Sequence, residues 1–305
     1  DLLNARVFGR DPAPANVFLY GNRGSGKSHL IRMFLHACAM AVPGFKYVLV
    51  RRNMPDLHKN HLIHVGKELR ALGGDYHQNN HQANYANGSI GFYSQCEMEH
   101  DVEKIVGAEA AVLFVDEAPQ IKWDFLRMLG PSLRVAKGPN GEVPYRTLVI
   151  YGGNPIGESI EELFRYFVDH NVEADADPEY DPSDFLGVEM TRADNPSIDE
   201  AEYRKQFAGL PAHYRKAWLD GVRMEADEAL GVAGLRQELL CPGHVEGKTP
   251  HPLVSPHAGR DERAARNLAC LGDIFGERFP VHGHAQGLPD ADVGGGGFDD
   301  VEAEI

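Results

Sequence analysis

Residues 21–28 read Gly21-Asn22-Arg23-Gly24-Ser25-Gly26-Lys27-Ser28, a spacing of residue types suited to gripping a polyphosphate. Glycines let successive backbone N–H groups curl toward one point that a bulky side chain would obstruct. Lys27 brings a point charge to the β and γ phosphates, and the Ser28 hydroxyl is a ligand for Mg²⁺. A helix beginning there would add the positive end of its dipole.

A second group with chemistry follows an apolar run, Ala111-Val112-Leu113-Phe114-Val115, which ends in Asp116-Glu117. Asp116 is placed to hold Mg²⁺, directly or through water. Glu117 is placed to polarise or deprotonate an attacking water. A third polar residue, Asn154, stands in Gly152-Gly153-Asn154-Pro155 after the apolar stretch of residues 146–151. There a side chain can sense a γ-phosphate, because doubly wound sheets bind ligands beyond the carboxyl ends of their strands.

The surrounding sequence supplies the elements that must position these residues. Val17-Phe18-Leu19-Tyr20 reads as a buried strand, and Leu30, Ile31, Phe34, Leu35, Cys38 and Ala41 recur at helical spacing. Strand, loop and helix form the context in which Gly-x-x-x-x-Gly-Lys-Ser binds a nucleotide. ATP and Mg²⁺ are the expected ligands. Residues 46–50 read as a second strand ending in Arg51-Arg52, and Asn53-Met54-Pro55-Asp56 as a helix start. Along that helix His58, His61 and His64 are expected on a solvated face, since no fourth metal ligand accompanies them. Residues 73–87 read as a polar loop, 89–93 as a strand, 101–109 as a short link and 121–133 as a helix. The acids between residues 173 and 184 read as a solvated loop, 185–190 as a strand, and 199–219 as two short helices broken at Pro211.

Composition bounds the rest. The 305 residues carry a net charge of −15, but unevenly: 17 Lys+Arg face 15 Asp+Glu through residue 160, and 13 face 30 after it. Global charge therefore gives nucleic-acid binding no support, although a local basic lining would suffice. No apolar run approaches a membrane span. Cys38, Cys96, Cys241 and Cys270 lie far apart, as free thiols in a reducing cytoplasm do. Cys241, His244, His251 and His257 fit no zinc spacing. Past residue 222 periodicity stops, apart from a candidate helix over 259–272.

Taken in order, these motifs resemble the ATPase part of the large terminase subunit of tailed bacteriophages. The resemblance rests on residues 21–28, Arg51-Arg52-Asn53, residues 112–118 and Gly152-Gly153-Asn154-Pro155. It continues through Asp194-Asn195-Pro196 and closes on Arg215-Lys216-Ala217-Trp218-Leu219-Asp220-Gly221. It implies an α/β phosphate-loop fold with a mostly parallel sheet flanked by helices, followed by a small helical linker and an irregular tail. The expected divisions are an ATPase core over 1–172, the end of the ATPase region and linker over 173–222, and a tail over 223–305.

By the same resemblance Arg23 is a catalytic loop arginine, and Asn154 belongs to a motif coupling hydrolysis to movement. The implied activity is Mg²⁺-dependent ATP hydrolysis driving double-stranded DNA into a procapsid. The implied partners are DNA, a portal protein, the small terminase subunit and further copies of the chain in a ring. The implied place is the cytoplasm of the infected bacterium, transiently at the portal, with no membrane. No strand after residue 222 ends in nuclease-like carboxylates, so cleavage is not expected of this chain. Two other readings share the loop: a helicase-like or kinase enzyme, and a nucleotide-gated assembly protein that scarcely hydrolyses ATP.

Overall fold

Apolar runs too short for helices and rich in β-branched residues become the strands of one sheet, as their composition dictates. The computed structural model describes residues 6–9, 13–134 and 145–224. Among these residues, eight strands form one sheet in the order β3-β4-β5-β2-β6-β7-β1-β8. They are β1 (Asn16–Gly21), β2 (Lys46–Arg51), β3 (Asp75–His77), β4 (Gln82–Asn84), β5 (Ile90–Gln95), β6 (Val112–Asp116), β7 (Leu148–Gly153) and β8 (Phe185–Met190). The six from β5 to β8 in that order pair in parallel, while β3, β4 and β5 pair antiparallel at one end.

Alternation along β6 sends its side chains to both faces. Val112 and Phe114 join one buried cluster and Leu113 and Val115 the other. Helix α1 (Lys27–Ala41) covers the first face with Ile31, Phe34, Leu35 and Cys38. Beside it run α2 (Met54–Leu57), a π turn over His58–Leu62, and α3 (Ile63–Ala71). The opposite face is covered by α4 (Glu99–Val106), α5 (Trp123–Leu129) and α6 (Ile160–Phe167). Each large apolar side chain removed from water contributes about 1.5–3 kcal/mol, so both layers are held mainly by burial.

Three expectations are revised. The polar stretch 73–87 contains β3 and β4, because Ala83 is buried while Gln82 and Asn84 point away, a period of two within an unpromising composition. The link at 101–109 is largely α4, whose Val102 and Ile105 are buried and whose Asp101 accepts from the backbone N–H groups of Glu97 and Met98. His61 is buried, although His58 and His64 are exposed. The helix start at Asn53 is present, its side chain accepting from Asp56 N at 2.9 Å.

Beyond residue 172, β8 pairs with β1, so the sheet draws on both sides of that expected division. Two short helices follow, α7 (Glu200–Lys205) and α8 (Ala212–Tyr214), the latter running into a π turn over Arg215–Leu219. The candidate helix at 259–272, Cys241, Cys270 and nearly all of the 223–305 tail lie outside the described residues. Cys38 and Cys96 are free and buried. No helix among the described residues is long and apolar enough to cross a membrane.

Candidate nucleotide site

Parallel register brings three strand ends to one edge. Tyr20 of β1 pairs with Gly153 of β7, and Asp116 of β6 pairs with Gly152. The loop of residues 21–28, the Asp116-Glu117 pair and Asn154 therefore meet, although long stretches of chain separate them in sequence.

The loop is shaped by backbone that only glycine tolerates well. Gly21 has φ 133°, and a Cβ there would lie 2.1 Å from the carbonyl oxygen of Met190. Gly26, with φ 90°, stands immediately ahead of α1 and leaves the helix's first N–H groups facing the loop. Lys27 is only 8% exposed. Its ammonium donates to Asn22 O at 2.9 Å, Ser25 Oγ at 3.0 Å and Gly21 O at 3.3 Å. Burial pulls the Lys27 pKa down to about 8, against the opposing fields of Glu117 and Asp116. Its donors are thus engaged by groups an incoming phosphate can replace.

By alternation Asp116 shares a face with Phe114, the face covered by α1 and α2. Three donors converge on it: Ser28 Oγ reaches Oδ1 at 2.8 Å, and Arg51 Nη1 and His61 Nε2 both reach Oδ2 at 2.9 Å. Burial pushes the carboxyl up, but His61, Arg51 and Ser28 outweigh it and hold the pKa at about 2. Asp116 is therefore an anion at neutral pH, and a carboxylate with about four acceptor positions keeps one beyond these three donors.

Glu117 sits in left-handed backbone, φ 54° and ψ 40°, strained for a non-glycine residue. This turns its side chain out of the strand. Oε1 accepts from Asn154 Nδ2 at 3.4 Å and lies 3.9 Å from Arg51 Nη2, while Oε2 accepts from Gln120 Nε2 at 3.3 Å. Burial and the charge of Asp116 raise its pKa, with Arg51, Lys27 and Arg23 opposing. A carboxylate made more basic than usual suits a proton acceptor.

Arg23 takes a different place. Its backbone N–H donates to Trp218 O at 2.7 Å and its guanidinium carbon lies 5.2 Å from the Trp218 ring centre. Asn22 Nδ2 donates to Leu219 O at 3.3 Å, and Asn195 Nδ2 to Gly24 O at 2.7 Å. The turn at 194–196 and the segment at 215–221 thus brace the outside of the loop.

Several of these partners carry no role in the sequence alone. Arg51 stands there only as part of a motif, and its place beside Asp116 follows from β2 neighbouring β6. Gln120 carries no signal. His61 carries one that its two exposed neighbours mask: Leu57, His61, Val65 and Leu69 recur every four residues, and all four are fully buried.

The fold that carries this loop and acid pair has counterparts among solved structures. The large terminase of a thermophilic bacteriophage is similar in structure, with a TM-score of 0.51 at 15% identity, over 71% of this chain and 51% of that one. The same phage protein in complex with ADP gives 0.51 at 14% identity, over 72% and 52%. Its complex with ATP-gamma-S gives 0.50 at 14%, over 72% and 51%. The chain thus spans about half the length of these structures, and at such identity the likeness concerns the fold, which is the phosphate-loop α/β fold expected. No curated protein matches the sequence. The family described as phage terminase large subunit matches residues 15–217, about two thirds of the sequence, and the chain belongs to that family.

Proposed function

We propose that this chain is the ATP-hydrolysing motor of a phage terminase, which moves double-stranded DNA through a portal into a procapsid. The observation that carries the reading is the meeting of Lys27, Ser28, Asp116, Glu117 and Asn154 at the ends of β1, β6 and β7. The ADP and ATP-gamma-S complexes of the thermophilic phage's terminase support ATP as the nucleotide.

The loop amides from Gly21 to Ser28 receive the phosphates, among them those of Asn22, Gly24, Ser25 and Gly26. Lys27 exchanges its loop carbonyls for phosphate oxygens, and Arg23 adds charge stabilisation once it leaves Trp218. Ser28 and Asp116 fit Mg²⁺, a hydroxyl and an ionised carboxylate already 2.8 Å apart. Mg²⁺, when bound, neutralises phosphate charge and orients the polyphosphate. Glu117 holds and deprotonates the attacking water, and Asn154 links the state of Glu117 to β7. Residues 1–172 form the ATPase core and 173–222 its end and linker. The working assembly is a ring of copies in the host cytoplasm, docked on a portal, with the small terminase subunit delivering DNA.

ATP hydrolysis by the full chain, measured with and without portal and double-stranded DNA, tests this. Glu117→Gln is expected to retain ATP binding and lose about 10²–10⁴-fold in turnover. Undiminished turnover removes Glu117 from the base role. Turnover that ignores DNA but consumes a small acceptor identifies a kinase instead.

A further inference from the structure

His61 reaches the site from an element with no other role there. The four-residue spacing of Leu57, His61, Val65 and Leu69 would drift around an α-helix of 3.6 residues per turn. The π turn over His58–Leu62 offsets that drift, and all four side chains stay on the buried stripe. Three of the four positions hold aliphatic residues, which fill such a stripe without desolvating a polar group. The fourth holds an imidazole that is 0% exposed and edge-on to Phe114, with ring centres 6.3 Å apart. Its Nδ1 is buried without a partner among the described residues.

An orphaned ring nitrogen is a cost a leucine would not incur. What offsets it is the single bond from Nε2 to Asp116 Oδ2. With Nε2 as the donor, that bond is the ring's one polar contact among the described residues. Arg51 shares that carboxylate oxygen, but its other arm faces Glu117 at 3.9 Å. Of the two donors on Oδ2, His61 is the one committed to Asp116 alone.

We infer that His61 is a positioning residue for the divalent cation: it pins Asp116 Oδ2 so that Oδ1 stays aligned with the Ser28 hydroxyl. This rests on the nucleotide-site reading above. The role is that of an outer partner that orients a metal-holding carboxylate, whose loss costs about 10–100-fold in metal affinity.

The experiment is a Mg²⁺ titration of fluorescent ATP-analogue binding by the full chain, repeated in EDTA, with thermal unfolding in parallel. His61→Phe keeps a ring and removes the donor. It should raise the Mg²⁺ midpoint by about tenfold or more while leaving binding in EDTA unchanged. His61→Gln, whose amide nitrogen reaches the Nε2 position, should restore most of the native midpoint. His61→Asn, whose amide falls short, should behave like His61→Phe. A native midpoint in His61→Phe overturns the inference, as does equal loss of binding with and without Mg²⁺. Failure of Gln to outperform Asn overturns it too, and that pair decides if the Phe variant does not fold. A native chain that binds the analogue with no Mg²⁺ dependence overturns the cation inference, and one that does not bind the analogue at all overturns the nucleotide-site reading itself.

Discussion

Ser28 donates to Asp116 across 2.8 Å, joining residues 88 positions apart in the chain. One lies at the start of α1 and the other at the end of β6, so the bond ties the phosphate loop to the acid pair. Ser28→Ala removes that tie and, on the proposed reading, a cation ligand with it. The concentration of Mg²⁺ that supports half-maximal hydrolysis should rise by about 10–100-fold. A Mg²⁺ titration at saturating ATP measures it, and an unchanged midpoint would place the cation elsewhere.

Asn154 holds Glu117 Oε1 at 3.4 Å, a long contact that steadies the carboxylate without neutralising it. Asn154→Ala should lower kcat by about tenfold with KM little changed, because on the proposed reading the contact concerns the group that activates water rather than nucleotide binding. Steady-state kinetics decide; a rise in KM at constant kcat would make Asn154 a binding residue instead.

Acid stability should depend on a buried network remote from the loop. Glu68 accepts from Arg32 at 2.7 and 2.9 Å and contacts His36, which in turn contacts Tyr85. Burial pushes the Glu68 carboxyl up, but His36 and Arg32 outweigh it and hold the pKa at about 2, below its usual 4.5. A carboxylate depressed on folding contributes stability that is complete above the unfolded pKa and lost as pH falls toward the folded one. The contribution, up to about 3 kcal/mol, should therefore fade between pH ~4.5 and pH ~2. Denaturant unfolding of native protein and Glu68→Gln across that range isolates it. Parallel curves for the two proteins would show that Glu68 does not carry this dependence.

Gly21 tests the shape of the loop without touching its chemistry. An added Cβ would meet the Met190 carbonyl oxygen at 2.1 Å in backbone that disfavours side chains, and neither partner is a flexible side chain that can yield. Gly21→Ala should cost at least about 2 kcal/mol of stability and detach β8 from β1 at that end. Thermal unfolding checks the first outcome and hydrogen exchange along β8 the second; a variant as stable as the native chain would refute both.

The sequence by itself determined what is covalently local. Residues 21–28 are one continuous loop, Asp116 and Glu117 are adjacent at the end of an apolar run, and Asn154 follows the next. Their types limit the chemistry before any folding is known. Short-range periodicity likewise announced β1, β2, β6, β7, α1 and the cap at Asn53, because each reports on a single face or a single turn. Tertiary structure decided which ends meet. Arg51 lies beside Asp116 because β2 neighbours β6, and strand order is a property of the whole sheet. The strands β3 and β4 exist through pairing with each other and, through β4, with β5, which their own polar composition does not suggest. Trp218 lies under Arg23 because the chain returns past β8 to the outside of the loop. His61 needed both levels: a four-residue spacing written in the sequence, and a π turn against β6 that made a buried imidazole worth its desolvation by giving it Asp116.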